Sequence, residues 1–228
     1  MKPQRDEHQR GIIWDLDGTL VDSSELHFAA WNQVADERGQ PFTMEDFRRT
    51  FGRRNPEILG MLFGLEQDHP EQTVLANRKE ELFREAVRSQ GVKVLPGAKE
   101  LVQAAATAGF RQAIGSSAPR ANIELLTEVA GLRPYLQAIV AMEDCIKGKP
   151  DPEVFVKAAG KMGVLPGWCV VIEDAVFGVQ AAKAGRCGCV AVRGGGHSTV
   201  EDLQAAGADI IVESLTEVKL EQLLRITR

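Results

Sequence analysis

Six short apolar runs separated by longer amphipathic segments constrain the fold of this 228-residue chain more than any other feature. The runs are GIIWDL, FRQAIGS, LQAIVAM, WCVVIED, GCVAV and ADIIVE. Short runs rich in β-branched residues predict strands, and the segments between them have the period of amphipathic helices. Near-continuous apolar strands that alternate with helices indicate a parallel sheet covered by helices on both faces.

One long segment, from about residue 23 to residue 94, interrupts this alternation. It contains helical patterns such as SSELHFAAWNQVADERG and TVLANRKEELFREAVRSQG, each closed by a glycine suited to a helix C-terminus, and no convincing strand. The predicted fold class is therefore α/β, a Rossmann-like three-layer core with a parallel sheet plus an inserted all-helical cap domain. We expect the core to comprise residues 1–21 and 95–228, and the cap residues 22–94.

Charge and hydropathy exclude some classes of partner. The formal net charge is -5 at pH 7, so the chain has no overall positive field that would attract a nucleic-acid backbone. The polar stretch MKPQRDEHQR leads into an apolar run that is far too short for a signal peptide or a membrane span. We expect a cytoplasmic protein with no nucleic-acid and no membrane partner. We also expect a monomer, because the cap offers no obvious partner helix.

Polar side chains follow the predicted strands at the points where the strands end. They are Asp15 and Asp17 after the first, Ser116 and Ser117 after the second, Lys147 and Lys149 after the third, and Glu173 and Asp174 after the fourth. The carboxyl ends of parallel strands meet at one edge of a sheet, so these groups should converge. Carboxylates at about 4 Å repel by about 4 kcal/mol at an effective dielectric constant of about 20. A hard divalent ion such as Mg²⁺ would relieve that repulsion.

The same edge has the groups needed to bind a phosphoryl group. The Ser116 hydroxyl and the backbone amides that open the next helix, near Pro119, would form a cradle for an anion. Lys149 would supply a point positive charge. Asp15 would then be the nucleophile that forms an aspartyl-phosphate, and Asp17 the acid that protonates the leaving oxygen and later activates water.

Purely structural roles compete with the functional ones for several of these residues. Asp15 and Asp17 do not match a calcium loop, because Thr19 takes the place of the next acidic ligand. The structural roles that stay open are a helix N-cap for Ser116 and Ser117, a helix cap for Glu173 and Asp174, and a solvated loop charge for Lys149, with Lys147 as its competitor.

The motifs DLDGT, the strand end at Ser116, the pair Lys149-Pro150 and the stretch IEDAVFGVQAAKAG resemble the four signature motifs of the haloacid dehalogenase-like phosphotransferases. Order and spacing agree over nearly the whole chain. The resemblance implies a nucleophile, an acid/base whose backbone carbonyl also binds magnesium, further acidic magnesium ligands and a phosphate-binding group. Those positions are Asp15 as nucleophile and metal ligand, Asp17 as acid/base and metal ligand, Glu173 and Asp174 as metal ligands, and Gly18, Ser116, Ser117 and Lys149 as phosphate-binding residues.

The inserted segment resembles the small helical cap of the β-phosphoglucomutase-like branch of that family. ELHFAAW places His27 and Trp31, and LANRKEEL places Lys79, where that mutase has cap residues facing the site. His27 and Trp31 could instead form part of the cap core, and Lys79 could belong to a charged helix face.

One cap position departs from the mutase pattern. The mutase has an arginine three residues after a glycine, where it binds the distal phosphate. Counted from Gly52, that position is Asn55, and Arg53 and Arg54 are the neighbouring candidates for contact with the substrate. On a helix, an offset of one residue turns a side chain by about 100°. A mutase must bind two phosphates at once, so the departure argues against mutase activity.

We therefore predict a magnesium-dependent phosphomonoester hydrolase that acts on a small phosphorylated metabolite, a sugar phosphate, through an aspartyl-phosphate. The first alternative is a β-phosphoglucomutase-like isomerase, which shares the core chemistry. The second is a regulator that accepts a phosphoryl group on Asp15 without turnover. Asp17, a built-in base, argues against that regulator.

Overall fold

The computed structural model describes residues 9–50, 53–66, 68–194 and 198–227. The chain divides into two compact units, which we call the core unit (Met1–Asp22 and Lys93–Arg228) and the helical unit (Ser23–Val92). Asp22, Lys93 and Val94, which the sequence analysis assigned to the cap, thus group with the core unit. Their backbones explain the difference, because they form a short antiparallel pair of strands at the point where the chain leaves and re-enters the core unit.

The strands of the described residues are β1 (Gly11–Trp14), β2 (Val21–Asp22), β3 (Lys93–Val94), β4 (Arg111–Gly115), β5 (Ala138–Val140), β6 (Cys169–Glu173), β7 (Gly188–Val192) and β8 (Ile210–Val212). Six of them form one sheet in the order β5-β4-β1-β6-β7-β8. Every neighbouring pair in this sheet is parallel. Strands β2 and β3 pair antiparallel in a separate two-stranded ladder. All six predicted runs therefore contribute one strand each to the sheet.

The α-helices of the described residues are α1 (Ser24–Glu37), α2 (Met44–Thr50), α3 (Asn55–Phe63), α4 (Pro70–Gln90), α5 (Ala98–Thr107), α6 (Arg120–Val129), α7 (Glu153–Met162), α8 (Val176–Ala184), α9 (Val200–Ala205) and α10 (Leu220–Ile226). Helices α1 to α4 form the helical unit, and α5 to α10 belong to the core unit. Together with the parallel sheet, they confirm the predicted α/β class with an inserted helical segment. No helix in the described ranges is long and apolar enough to cross a membrane.

Helices cover both faces of the sheet, and β1 shows why. Ile13 belongs to a buried apolar cluster with Phe155 of α7. Successive strand residues point to opposite faces, so Trp14 faces the other side, where its indole Nε1 donates to Gln112 Oε1 at 3.0 Å. Gln112 Nε2 in turn donates to the carbonyl of Val102 in α5 at 3.0 Å. A central strand buried on both faces must be apolar throughout, which accounts for the run GIIW.

The central strands fix where the polar groups emerge. The amide of Asp15, the first residue after β1, donates to the carbonyl of Ile172 in β6 at 2.9 Å. The amide of Ser116, the first residue after β4, donates to the carbonyl of Val140 in β5 at 3.1 Å. The sheet hydrogen bonding thus continues one residue beyond the strands and holds both residues at the carboxyl edge of the sheet.

Candidate active site

Three carboxylates meet at the carboxyl edge of the sheet. Asp15 after β1, Glu173 at the end of β6 and Asp174 after it each offer a carboxylate oxygen within 4.8 Å of the others. All three are buried, with exposed fractions of 6%, 1% and 5%. The carboxylate of Asp17 is not part of this group, and Asp17 is partly exposed.

A single lysine lies between two of these carboxylates. Lys149 Nζ donates to Asp15 Oδ1 at 2.5 Å and to Glu173 Oε1 at 2.7 Å. The side chain of the competing Lys147 is 73% exposed and pairs with Asp151 at 3.6 Å. Lys149 is therefore the lysine that contacts the buried carboxylates, whereas Lys147 is an exposed loop charge.

Burial and mutual repulsion shift the acidity of the cluster. Burial, with the negative charge of Glu173 nearby, raises the pKa of Asp15 from 3.8 to about 7, although Lys149 opposes the shift. Burial, together with Glu173 and Asp15, raises the pKa of Asp174 well above 3.8. Burial alone would lower the pKa of Lys149, but Asp15 and Glu173 outweigh it and raise that pKa. The charged form of Lys149 is thus favoured, whereas the protonated forms of Asp15 and Asp174 are favoured.

The turn after Asp15 brings the chain back over Asp174. Gly18 has φ = 86°, a left-handed conformation that glycine adopts without strain. A Cβ on Gly18 would lie 2.2 Å from Asp174 Oδ2. The next residue, Thr19, is fully buried, and its hydroxyl donates to Asp174 Oδ1 at 3.2 Å. The sequence analysis gave Thr19 no role, although its place in DLDGT was the signal available.

Both carboxylate oxygens of Glu173 already have protein donors. Oε1 accepts from Lys149, and Oε2 accepts from the amides of Asp174 and Ala175 at 2.7 Å each. The close approach depends on Gly178, because a Cβ there would lie 1.6 Å from Glu173 Oε1. Glu173 is thus engaged with Lys149 and with the two amides just before α8. Asp15 and Asp174 have more carboxylate lone pairs left to bind a cation.

The predicted anion cradle after β4 is only partly available. Ser116 is 3% exposed, and its hydroxyl accepts from the amide of Ala118 at 3.1 Å. The amide of Arg120, which opens α6, donates to the Glu143 carboxylate at 3.0 and 3.1 Å. These two amides are therefore not free to bind an anion. Ser117, between Ser116 and Ala118, is partly exposed.

Asp15 and Asp174 have the chemistry required for a hard divalent cation. Their donors are carboxylate oxygens, the ligands that such cations prefer. Burial raises the pKa of both carboxyl groups, and a bound cation would favour their charged forms. Because Gly18 has no Cβ, its backbone can lie close to Asp174 Oδ2.

The predicted cap residues have different environments in the helical unit. Trp31 is 2% exposed in an apolar cluster with Phe42 and Phe47, so its ring forms part of the unit's core. Arg53 is exposed and pairs with Glu57 at 3.2 Å. Arg54 is partly exposed, and its buried Nε has no hydrogen-bond partner among the described residues.

His27 and Lys79 lie together in the helical unit. Lys79 Nζ is 2.9 Å from His27 Nδ1 and 3.0 Å from Glu80 Oε1. Asn55 Nδ2 donates to the same Glu80 oxygen at 2.7 Å. The sequence analysis did not predict the contact between Glu80 and Asn55, because no local pattern links residues 25 positions apart. We call these four residues the Lys79 cluster.

A family model described as haloacid dehalogenase-like hydrolase matches residues 9–186. The chain belongs to the haloacid dehalogenase-like hydrolase family. This membership confirms the resemblance drawn from the four motifs.

Curated relatives of this haloacid dehalogenase-like hydrolase include phosphatases and mutases. Over 218 residues it is 30% identical to a chloroplastic 5-amino-6-(5-phospho-D-ribitylamino)uracil phosphatase of Arabidopsis thaliana, covering 95% of this chain and 57% of that protein's length. It is 34% identical to a fructose-1-phosphate phosphatase of Escherichia coli K12, covering 82% of this chain and 98% of that one. A β-phosphoglucomutase of Mycobacterium bovis is 30% identical over 93% of this chain and 92% of its own.

A solved structure supports the fold of this family member independently. A family IA hydrolase, variant 3, from Entamoeba histolytica superposes with a TM-score of 0.86. The two chains are 24% identical, and the match covers 96% of this chain and 99% of the other. At that identity the likeness bears on the fold alone.

Proposed function

We propose that the protein is a magnesium-dependent phosphomonoester hydrolase that acts on a small phosphorylated metabolite, a sugar phosphate. The observation that carries the proposal is the buried Asp15 carboxylate, 2.5 Å from Lys149 and beside Asp174. Phosphoryl transfer needs a nucleophile next to positive charge that can neutralise the phosphoryl oxygens. The fructose-1-phosphate phosphatase among the relatives supports a sugar phosphate as substrate.

Asp15 would attack phosphorus and form an aspartyl-phosphate, while the bond between phosphorus and the ester oxygen breaks. Asp17 would protonate the departing oxygen and then, as its conjugate base, take a proton from water that cleaves the acyl-phosphate. The partial exposure of Asp17 fits a residue that exchanges protons with substrate and water. The products are the free alcohol and inorganic phosphate.

Asp15, Asp174 and the backbone carbonyl of Asp17 would hold magnesium, with Glu173 supporting them through Lys149. When bound, the ion supplies positive charge that offsets the carboxylates and polarises the phosphoryl oxygens. Lys149 would bind a phosphoryl oxygen with the ammonium that it holds between two carboxylates.

Gly18, Ser116 and Ser117 would complete the binding of the phosphoryl group. Gly18 would present its backbone amide without steric hindrance, and Ser117, partly exposed, would offer its hydroxyl. The buried Ser116 hydroxyl accepts from Ala118 and keeps its own hydrogen to donate.

We propose that residues 22–94 determine which ester is accepted, as the cap of this family. His27, Lys79, Arg53 and Arg54 are the candidate contacts, and Trp31 would support them from the core of the helical unit. Because this chain has Asn55 where the mutase has an arginine, its choice of substrate should depend on its own cap residues.

The test is release of inorganic phosphate from a panel of phosphorylated sugars, phosphoglycolate and nucleotides, with Mg²⁺ and with EDTA. We expect release from at least one sugar phosphate, lost in EDTA and restored by Mg²⁺. Asp15→Asn should lower turnover on the order of 10³-fold or more, whereas the exposed control Asp36→Asn should not. Phosphate release that survives Asp15→Asn would contradict the nucleophile assignment.

Asp17→Asn tests the acid/base role separately. The variant should either accumulate the aspartyl-phosphate or fail to form it, because proton transfer to the leaving oxygen or from water is lost. Acid-quench trapping of phosphoprotein distinguishes the two outcomes. Kinetics equal to those of the wild type would refute the role.

A mutase remains the second candidate, supported by the β-phosphoglucomutase relative. It would use the same core chemistry but return the phosphoryl group to the sugar. β-Glucose 1-phosphate with a trace of the bisphosphate should yield glucose 6-phosphate from a mutase and free phosphate from a hydrolase. We expect free phosphate.

A further inference from the structure

The aromatic ring of Phe155 lies against the ammonium group of Lys149. Lys149 Nζ is positioned over the ring, 4.9 Å from its centroid. Phe155 stands in the first turn of α7 and is fully buried, and the side chain of Lys149 is only 10% exposed. A cation within about 6 Å of an aromatic face is attracted to it, and the attraction grows where water is excluded. The ring is therefore part of the electrostatic environment of Lys149.

The backbone of β4 leaves room for this ring. Gly115 is the last residue of β4, and a Cβ on it would lie 2.9 Å from Phe155 Cδ1. The same Cβ would lie 3.1 Å from Ile13 Cγ2 in the neighbouring strand β1. A side chain at position 115 would thus push the ring away from its place beside Lys149. The glycine before Ser116 determines where the ring of Phe155 can lie.

The contact with the ring leaves one hydrogen of the ammonium available. An ammonium has three hydrogens and no acceptor. Two of those of Lys149 donate to Asp15 Oδ1 and Glu173 Oε1, at 2.5 and 2.7 Å. The third has no acceptor among the residues that the structure describes. The ring face attracts the whole cation and needs no hydrogen bond to do so, whereas a polar side chain in its place would take up the third hydrogen.

Packing alone does not require an aromatic residue at position 155. Phe155 belongs to a buried apolar cluster with Ile13 and Val171. A cluster of this kind accepts other large apolar side chains, such as those of leucine or methionine, at modest cost. Only an aromatic ring adds a face with negative electrostatic potential. Next to a buried ammonium that face has an effect that an aliphatic side chain lacks.

We propose that Phe155 is a positioning residue that holds the Lys149 ammonium through its ring face and so keeps the third hydrogen of that ammonium for a phosphoryl oxygen of the substrate. The inference rests on the proposed function and adds a residue to its site. Because Phe155 is fully buried, it acts through Lys149 and does not itself contact the substrate.

Fluorinated phenylalanines at position 155 test the role of the ring face. Each fluorine withdraws electron density from the face while the ring keeps its shape, so 4-fluoro-, 3,5-difluoro- and 3,4,5-trifluorophenylalanine weaken the contact in steps. The kcat/KM for phosphate release should fall with each fluorine, by about tenfold over the series. An apolar side chain with a purely structural role would show no such trend.

Phe110 is the matched control position. It is also buried, but it directly precedes β4 and so lies at the opposite edge of the sheet from Lys149. The same three fluorinated residues at position 110 should leave kcat/KM unchanged. A flat series at position 155, or equal slopes at the two positions, would overturn the proposal.

Binding of inorganic phosphate tests the link to the phosphoryl group without turnover. Isothermal titration calorimetry in Mg²⁺ should show a Kd for phosphate that rises with each fluorine at position 155, by up to about tenfold over the series. The Kd should stay constant across the series at position 110. An equal Kd for all members of the series at position 155 would refute the effect on phosphate binding.

Nuclear magnetic resonance in EDTA tests the position of the ammonium without any substrate or metal. Protons over an aromatic face resonate upfield, so the ε protons of Lys149 should be shifted upfield in the wild type and should lose that shift in Phe155→Leu. Phe110→Leu should retain it. Absence of the shift in the wild type would contradict the proposal.

The two kinds of variant keep the outcome decisive. Phe155→Leu leaves a small cavity and lowers stability, whereas the fluorinated rings fill the original space, so the series remains informative if the leucine variant unfolds. Failure of the wild type to release phosphate from any ester would sink the proposed function. The resonances of Lys149 would still decide whether the ring holds the ammonium.

Discussion

Gly178 determines whether Glu173 can occupy its position. It lies in the first turn of α8, and a Cβ there would lie 1.6 Å from Glu173 Oε1. Gly178→Ala must therefore displace a carboxylate that holds Lys149 and two amides. We expect a loss of about 1–3 kcal/mol in the free energy of unfolding, typical of overpacking, together with a fall in phosphate release. Urea unfolding and the phosphate assay measure the two effects.

Gly160 provides the matched control. It also lies within a helix, α7, but a Cβ there would meet nothing within 4 Å. Alanine is favoured over glycine in a helix interior by about 0.5–1 kcal/mol, so Gly160→Ala should raise the free energy of unfolding. If both substitutions shifted stability in the same direction, contact with Glu173 would not be the reason for Gly178.

The sequence predicts where a single side chain lies only when that residue stands at the end of a strand. The parallel-sheet rule predicted that Asp15 and Asp174 would meet, because both directly follow central strands. It left Lys147 and Lys149 as competitors, since both follow the same strand, and only the path of the loop separates them. The contact between Glu80 and Asn55 had no such signal, because the two residues come from different helices.

At the scale of elements, the loop between β5 and α7 is held by the first residue of α7. Glu153 Oε2 accepts from the amides of Ile146 and Lys147 at 2.9 Å each. These two hydrogen bonds restrain the loop just before Lys149, whose side chain must reach Asp15. Glu153→Ala should loosen the loop and lower kcat/KM for phosphate release by about tenfold, as expected when a positioning contact of about 1.4 kcal/mol is lost.

The conservative variant Glu153→Gln distinguishes positioning from charge. Its amide oxygen can still accept from both backbone amides, so it should retain most of the activity that Glu153→Ala loses. Circular dichroism and urea unfolding establish that both variants are folded. Equal losses of kcat/KM in the two variants would indicate that the negative charge of Glu153 matters rather than its hydrogen bonds to the loop amides.

Element length explains which strands the sequence could predict. The six strands of the sheet are three to five residues long and mostly buried, so they leave an apolar run. Strands β2 and β3 have two residues each, and β3 is exposed or partly exposed. Two residues are too few to show a periodic pattern. The predicted cap therefore included Asp22, Lys93 and Val94, which group with the core unit.

For the whole molecule, the order of elements and the family follow from the sequence, whereas the state of the site's charges does not. The alternation of strands and helices predicted the α/β class, and four spaced motifs predicted the family. The charge state depends on how deeply each carboxylate is buried and on what lies within a few ångströms. Asp15 and Asp17 stand two positions apart in DLDGT, yet only Asp15 is buried among the acidic cluster.

That burial predicts how the stability of the metal-free protein depends on pH. The pKa of Asp15 is about 7 when folded and 3.8 as an unperturbed group, and that of Asp174 is also raised. Between these values the folded state binds more protons than the unfolded state, so the free energy of unfolding falls as pH rises. In EDTA, from pH 5 to 7, Asp15 alone should contribute a fall of up to about 1.4 kcal/mol per pH unit.

Comparison with Asp15→Asn isolates this contribution from other groups that titrate in the same range. The free energy of unfolding of the wild type minus that of the variant should fall as pH rises from 5 to 7, and level off above pH 7. Saturating Mg²⁺ binds the deprotonated carboxylates, so its stabilisation of the wild type should grow with pH over the same interval. Parallel pH profiles for the two proteins in EDTA would show that Asp15 is not held protonated by its surroundings. A stabilisation by Mg²⁺ that did not change with pH would show that the ion does not bind at the buried carboxylates.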